Sequence, residues 1–384
     1  KVSPSKVLIE EKETFKKYFN NQLNIFANLK FPVELLKNKK IIDFGCGTGE
    51  TDIILACLGA NVEGFDFNDI SIKRATYLSQ HFNLDQQVKF DVGTIEKYPI
   101  KNNSYDIALS VGVIPHVDNQ KNMFKRMADS VKPGGYLILG FIESSGFIQR
   151  LLHREIINAI SDKSDDQIFS LASRLFGEHI ERSVKYGGRS AKSVINDYLI
   201  NPHYYGIDIA TINEWALSNT LSFYSSSPSI ELPFATNPSI SNNSKSRNAE
   251  KLFISLLKLR WMFAQESDEE CFDGIVSSLP PLNKSVDNLF ENLNEILQSK
   301  DYSPERIAKF NQSLSLLDSQ FAMLLISLIN SLNDSFFVHS QELSAVINML
   351  NKKISYKEEF DFSSLNNKLF RGTNGLGTSY VILK

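Results

Sequence analysis

Residues Lys39–Glu50, which read K-K-I-I-D-F-G-C-G-T-G-E, restrict the possible folds more than any other stretch of this chain. The β-branched pair Ile41-Ile42 leads through Asp43 and Phe44 into Gly45, Gly47 and Gly49, with Cys46 and Thr48 between them. A short apolar run that ends in a glycine-rich turn and is followed by a helical pattern predicts a buried parallel strand, a tight loop and a helix over Glu50–Leu58. Glycine serves such a loop in two ways. It accepts positive φ, and it lets a ligand lie against bare backbone. The helix that follows would turn its free N–H groups toward something electron-rich.

Spacing narrows the ligand. Dinucleotide loops follow G-x-G-x-x-G, in which the third glycine admits close helix–strand packing. Here the pattern is D-x-G-x-G-x-G, with an acid two residues before the first glycine. This stretch resembles the first motif of the class I S-adenosylmethionine-dependent methyltransferases. A glycine-rich turn in some other α/β domain is the competing reading of the motif alone.

The segments downstream fall in a matching order. Asn61–Asp66 reads as a second strand ending in an acid, and a helix capped by Asn68 or Asp69 follows, with Ile72, Ala75, Leu78 and Phe82 on one face. Val88–Val92 predicts the third strand and Ile107–Val111 the fourth, entered through the turn Asn103–Asp106. A helix ending at Val131, a Lys132-Pro133-Gly134-Gly135 turn and a fifth strand from Tyr136 complete the series. The run from Asp106 to Val117 (D-I-A-L-S-V-G-V-I-P-H-V) resembles that of ubiquinone- and menaquinone-biosynthesis methyltransferases. It lacks the N-P-P-Y-like loop of enzymes that methylate nitrogens of nucleic acids and proteins.

The resemblance implies S-adenosylmethionine as cofactor and S-adenosylhomocysteine as product, held by Asp43, Gly45, Cys46, Gly47, Asp66, Phe67, Thr94, Ile95, Ser110 and Val111. Asp66 at its strand tip is suited to accept from both ribose hydroxyls, and Phe67 to lie against adenine. Thr94 stands where the family usually has an acid for the adenine amino group, which leaves recognition there to the backbone of Ile95. His116, a few residues beyond the fourth strand, is the candidate proton acceptor, with His203 and Tyr205 as rivals and simple cavity lining as the alternative. No metal ligand set is expected: Cys46, Cys57 and Cys271 form no C-x-x-C pair.

Around this core lie less typical segments. Residues 1–37 read as an N-terminal helical segment, with Phe15, Tyr18, Phe19, Leu23 and Phe26 at helical spacing; packing is its main expected use, and Tyr18 a minor candidate to close over the cofactor. Residues 38–143, 207–231 and 377–384 form the expected core. Within it, Ile209–Leu217 predicts a helix, Leu221–Ser226 a sixth strand and Thr378–Leu383 an antiparallel seventh. Residues 144–206 make a first insertion, with helices over Phe147–Ile160 and Gln167–Phe176 and a polar-aromatic stretch over Asn196–Tyr205. Residues 232–376 are too long for a bare hairpin loop and must carry their own structure. After a Ser/Asn-rich start (Thr236–Asn248), they show stripes at Val286–Leu297, Phe310–Leu328 and Leu343–Leu350, the second begun by Ser303 and Pro304.

The expected fold class is therefore α/β: a doubly wound, seven-stranded, mostly parallel sheet with a discontinuous helical lid. Both insertions leave the sheet where parallel strands bind ligands, so they should roof the acceptor site. A dimer seam is the alternative use of the helical stripes. A net charge of −3 gives no electrostatic case for nucleic acid or an acidic membrane. The longest apolar run, Phe321–Ile329, is too short to span a bilayer, and no signal-like h-region opens the chain. A cytoplasmic protein is expected, trimmed before Lys1. The expected activity is methyl transfer to a small or medium-sized metabolite. A tRNA or protein acceptor, or a scaffold without catalysis, are the alternatives.

Overall fold

The computed structural model describes residues 6–160, 164–187, 190–201, 205–227, 258, 282–328 and 379–384. Seven strands form one sheet in the order β3-β2-β1-β4-β5-β7-β6. They are β1 (Lys40–Phe44), β2 (Asn61–Asp66), β3 (Val88–Val92), β4 (Tyr105–Val111), β5 (Val131–Phe141), β6 (Phe223–Ser227) and β7 (Ser379–Leu383). The first five run parallel, and β7 lies antiparallel between β5 and β6. The expected α/β class, a seven-stranded and mostly parallel sheet with flanking helices, is what the chain adopts.

Helices cover both faces, as a parallel sheet requires. On one face lie α1 (Lys12–Asn28), α2 (Glu50–Cys57) and α3 (Asp69–His81); Phe26 and Leu55 pack with Ile41, Val62 and Leu109, while Ile53 and Leu78 form a smaller cluster with Ile9. On the other, α4 (Gln120–Ser130) and α8 (Ile209–Ser218) bring Phe124, Met127, Ile209 and Ile212 against Phe44, Leu137, Leu139 and Phe141. Alternation along β1 sends Ile42 and Phe44 to this second face and leaves Ile41 on the first. Helix starts follow their capping chemistry: Asn68, Asn119 and Asp208 each accept a backbone N–H at the head of α3, α4 and α8.

Several boundaries differ from the sequence reading. β4 begins at Tyr105, two residues early, because Tyr105 is buried and pairs with Val131. β5 likewise starts directly after α4, so the Pro133-Gly134-Gly135 turn lies within the strand as an irregularity; the pairing jumps to Ile107↔Tyr136. Gly135 is needed there, since a Cβ would sit 2.6 Å from the Asp106 carbonyl.

The first insertion holds α5 (Ile148–Ile160), α6 (Asp165–Gly187), α7 (Ala191–Ile195) and a π turn (Asn196–Ile200). α6 runs well past the expected Phe176, which is instead a kink (φ −125°, ψ 26°) beside Gly177. Between β6 and β7, α9 (Leu282–Ser299) and α10 (Pro304–Leu328) form a helical hairpin. Val286, Leu289, Phe290, Leu293, Ile296 and Leu297 of α9 are buried, as are Phe310 and Leu314 of α10. The expected stripe at Leu343–Leu350 and the Ser/Asn-rich start lie outside the described residues. Two contacts tie this hairpin down: Tyr302 donates to Glu155 of α5, and Lys258 pairs with Asp287 of α9 and with Asp208 at the head of α8. Among the described residues, no helix is long and apolar enough to cross a membrane.

Candidate active site

The loop after β1 is fastened strand by strand. Gly45 and Cys46 donate their N–H groups to the Phe65 carbonyl at 2.9 and 3.1 Å, and Gly47 donates to Asp66 Oδ2 at 3.1 Å. The other Asp66 oxygen accepts from Asn68 N at 2.8 Å. Asn68, not Asp66, caps α3, so Asp66 acts as the brace between the loop and the tip of β2. Burial raises the Asp66 pKa above its ordinary value, opposed by these two N–H bonds. Each carboxylate oxygen has a second lone pair, so two more donors can be accepted.

The three loop glycines do different jobs. Gly45 (φ +80°) has no room, since a Cβ would lie 2.5 Å from Val113 Cγ2. Gly49 (φ +82°) is packed against Ala75 and Phe90. Gly47 (φ +56°) is the exception: a Cβ there would meet nothing within 4 Å. Gly112 (φ +72°), just past β4, is open in the same way. Bare backbone at the carboxyl ends of β1 and β4, beside a half-buried carboxylate, is a cradle that protein atoms leave unfilled.

Beneath the loop lies a pair of acids. Asp43 is 5% and Asp52 0% exposed, and among the described residues neither Asp52 oxygen nor Asp43 Oδ1 has a donor. Burial pushes both carboxyls up, Asp43 to about 7; Asp43 raises Asp52 further, while the hydrogen bond from Asp52 pulls Asp43 down. A proton held between the two supplies the missing donor. Gly64 makes space for the pair, since a Cβ would lie 2.8 Å from Asp52 Oδ2. The nearby Cys46 thiol is also pushed up, chiefly by burial and then by Asp52, Asp43 and Asp66. It is therefore no activated nucleophile.

The remaining candidates divide. Phe67 is 76% exposed, and Thr94 and Val111 are also exposed, at the ends of β2, β3 and β4. Ile95 packs its side chain on the core, and Ser110 is buried with Oγ donating to the Phe44 carbonyl at 3.0 Å. Those two can offer a ligand backbone atoms only. Tyr18 packs beside Ile53 and Leu78, its hydroxyl 2.9 Å from Thr51, which is the packing use expected of α1.

His116 ends a short turn after β4, with Nδ1 3.3 Å from Asn201 Nδ2. Tyr205 N donates to the Pro115 carbonyl at 2.8 Å, so the structure brings His116 and the Tyr205 backbone together; His203 lies outside the described residues. From Tyr205 the chain continues along the end of β5, where Ile207 N donates to Ile142 and Glu143 pairs with Ile207.

Two acids escaped the sequence reading. Asp52 resembled a first-turn residue placed for the helix dipole; only its place beside Asp43 exposes its role. Glu143, two residues past β5, is 0% exposed, with Oε2 accepting from Ser145 N and Oε1 without a partner. Burial and then Asp208 push it up to about 7. An acid directly after a core strand was the available signal.

Residues 35–188 match a family model described as a methyltransferase domain. This segment carries a methyltransferase domain. A mitochondrial ubiquinone biosynthesis O-methyltransferase of Dictyostelium discoideum is 32% identical over 158 residues, covering 37% of this chain and 48% of the relative. Norajmaline N-methyltransferase of Rauvolfia serpentina is 28% identical, covering 30% and 39%, and a sterol 24-C-methyltransferase of Pneumocystis carinii 30% identical, covering 26% of each. The chain spans less than half the length of each of these relatives.

Proposed function

We propose that this chain is an S-adenosylmethionine-dependent methyltransferase whose acceptor is a small or medium-sized metabolite, covered by the helices of the two insertions. The observation that carries the reading is the open backbone at Gly47, braced by Asp66 and left unfilled by any side chain among the described residues. S-Adenosylmethionine supplies an electrophilic methyl group on a sulfonium. The protein then has to hold two reactants in line and keep water out.

Asp43, Gly45, Cys46 and Gly47 form the floor of the cofactor cradle. Asp66 accepts the ribose hydroxyls on its remaining lone pairs, and Phe67 offers an exposed ring for adenine. The backbones of Thr94 and Ile95 border the base, and those of Ser110, Val111 and Gly112 the methionine end. We assign the acceptor side to His116, whose Nδ1 lies 3.3 Å from Asn201 Nδ2. An acceptor hydroxyl or ammonium must lose a proton, and the His116 ring is placed to take it. An acceptor that is already an anion needs positioning alone. The relatives methylate oxygen, nitrogen and carbon by name, which supports the cofactor half of this reading and leaves the acceptor atom open.

The test is native mass spectrometry of ligands carried through purification, followed by transfer of labelled methyl from S-adenosylmethionine to a metabolite extract. The reading expects bound S-adenosylmethionine or S-adenosylhomocysteine, and label in low-mass products. Label only in protein or RNA would overturn the choice of acceptor.

A further inference from the structure

The loop that builds the cradle is fastened at a second point besides Asp66. Thr48, between Gly47 and Gly49, is 4% exposed and donates through Oγ1 to Glu50 Oε2 at 2.5 Å. Glu50 opens α2 and is itself buried. Its other oxygen accepts the backbone N–H of Val7 at 3.1 Å, from 43 residues earlier in the chain. Residues 6–11, which precede α1, therefore reach the glycine loop through one carboxylate. A clamp holds the same segment to α3. Arg74 donates from both Nη atoms to the two oxygens of Glu10, and from Nη2 to the Val7 carbonyl at 3.5 Å. Between Val7 and Glu10, Ile9 is fully buried in a cluster with Ile53 of α2 and Leu78 of α3.

We infer that residues 6–11 are a strap whose docking is coupled to cofactor binding, with Glu50 as the positioning residue that joins the two. The inference rests on the methyltransferase reading of the cradle. Its physical basis is what Glu50 needs. A buried carboxylate is tolerated while its oxygens are hydrogen-bonded and becomes costly when a donor is lost. Val7 N–H serves one oxygen and the Thr48 hydroxyl the other. When the strap lifts, Glu50 loses the Val7 donor and the cover of Ile9, and it gains by turning out to water. Turning out releases Thr48. Gly47 and Gly49, on either side of it, both sit at positive φ, so the loop has little stiffness of its own and depends on such ties. A cofactor seated against Gly47 acts in the opposite sense: it fixes the loop, keeps Thr48 on Glu50 and favours the docked strap. The coupling has the same size in both directions.

Two further observations place the tie at the loop. The Tyr18 hydroxyl of α1 lies 2.9 Å from Thr51 Oγ1, one residue beyond Glu50. The N-terminal segment thus grips Glu50, Thr51 and Ile53, the head of a helix that begins directly at the last loop glycine, Gly49. Residues 6–11 also lie outside the stretch 35–188 matched by the methyltransferase model, so the tie joins this chain's own N-terminal segment to the shared domain.

The experiment reads amide hydrogen exchange by mass spectrometry on peptides spanning residues 6–11 of the full chain, with and without saturating S-adenosylhomocysteine. The ligand should slow exchange there about fivefold or more. Glu10→Gln breaks the clamp on Arg74 without touching the loop. It should speed strap exchange and weaken S-adenosylhomocysteine severalfold by calorimetry, and saturating ligand should restore part of the protection. Glu50→Gln leaves the Glu10–Arg74 clamp in place and gives up one acceptor, so the response of the strap to the ligand should shrink toward none. Should Glu50→Gln lose its circular dichroism, the parent and Glu10→Gln carry the test. A strap whose exchange ignores saturating ligand, or a Glu10→Gln protein with a loosened strap and undiminished affinity, would overturn the inference, since packing alone predicts both. No heat of S-adenosylhomocysteine binding to the parent would instead overturn the methyltransferase reading, and the coupling with it.

Discussion

Glu143 at the end of β5 allows a stability prediction with a definite sign. Its carboxyl is fully buried, Oε2 accepts from Ser145 N at 2.6 Å, and Oε1 has no donor. Burial, reinforced by Asp208, raises it from an ordinary 4.5 to about 7, against the opposing pull of Ser145 and Lys258. Below 4.5 both folded and unfolded chains carry the proton, so Glu143 adds no pH dependence there. Between 4.5 and 7 only the folded chain holds it, and stability falls as pH rises. Above 7 both states are ionised and the full penalty applies. A displacement of that size corresponds to about 3 kcal/mol. Glu143→Gln keeps an oxygen for Ser145 N, puts an amide N–H₂ in place of the donorless oxygen, and removes the titration. Urea unfolding followed by circular dichroism at pH 5, 6, 7 and 8 should show the variant gaining on the parent as pH rises, by up to about 3 kcal/mol at pH 8. Parallel stability curves for the two proteins across that range would refute the argument, because they would mean that Glu143 ionises in the folded chain as it does in the unfolded one.

Three further outcomes follow from the cradle. Asp52→Asn gives Asp43 a permanent donor, so stability should rise above the ordinary carboxyl range and lose part of its pH dependence; unfolding curves from pH 4 to 8 check this. Gly45→Ala places a Cβ 2.5 Å from Val113 Cγ2 and should cost roughly 1–3 kcal/mol more stability than Gly47→Ala, whose Cβ meets no protein atom; Gly47→Ala should instead weaken S-adenosylhomocysteine binding, as thermal unfolding and calorimetry together will show. His116→Asn should slow methyl transfer to a proton-bearing acceptor on the order of a hundredfold and flatten the acid limb of its pH–rate profile, with cofactor affinity nearly unchanged. A His116→Asn enzyme with an undiminished rate would move the role to the Tyr205 segment or dispense with a base.

Local sequence carried much of the fold because local chemistry decides it. The β-branched run Ile41-Ile42, the Asn61–Asp66 alternation and the Asn68 cap specify strand, loop and helix without long-range help, and these elements formed where the pattern placed them. Even β7, at residues 379–383, was legible as a short apolar run after glycines, and it pairs antiparallel with both β5 and β6. Ends of strands were less so: Tyr105 and Val131 join the sheet through each other, a pairing that neither neighbourhood announces. The same limit explains Asp52 and Glu143. Each is defined by a charged neighbour on another element, Asp43 and Asp208 respectively, and burial, the property that makes a charged residue unusual, is absent from the sequence. Of the candidate acceptor-side residues, the topology united His116 with the Tyr205 backbone, since both follow strands whose carboxyl ends lie side by side.

The central claim is that the Asp66-braced loop holds the adenosyl cofactor, and calorimetry of the full chain with S-adenosylmethionine, S-adenosylhomocysteine and a nicotinamide dinucleotide tests it most directly. The account predicts micromolar-range binding of the first two and none of the third. It further predicts that Asp66→Ala loses about 1.5–3 kcal/mol of that affinity, the worth of charge-assisted hydrogen bonds to the ribose hydroxyls. Absence of heat with both adenosyl ligands, or tighter binding of the dinucleotide, would contradict it.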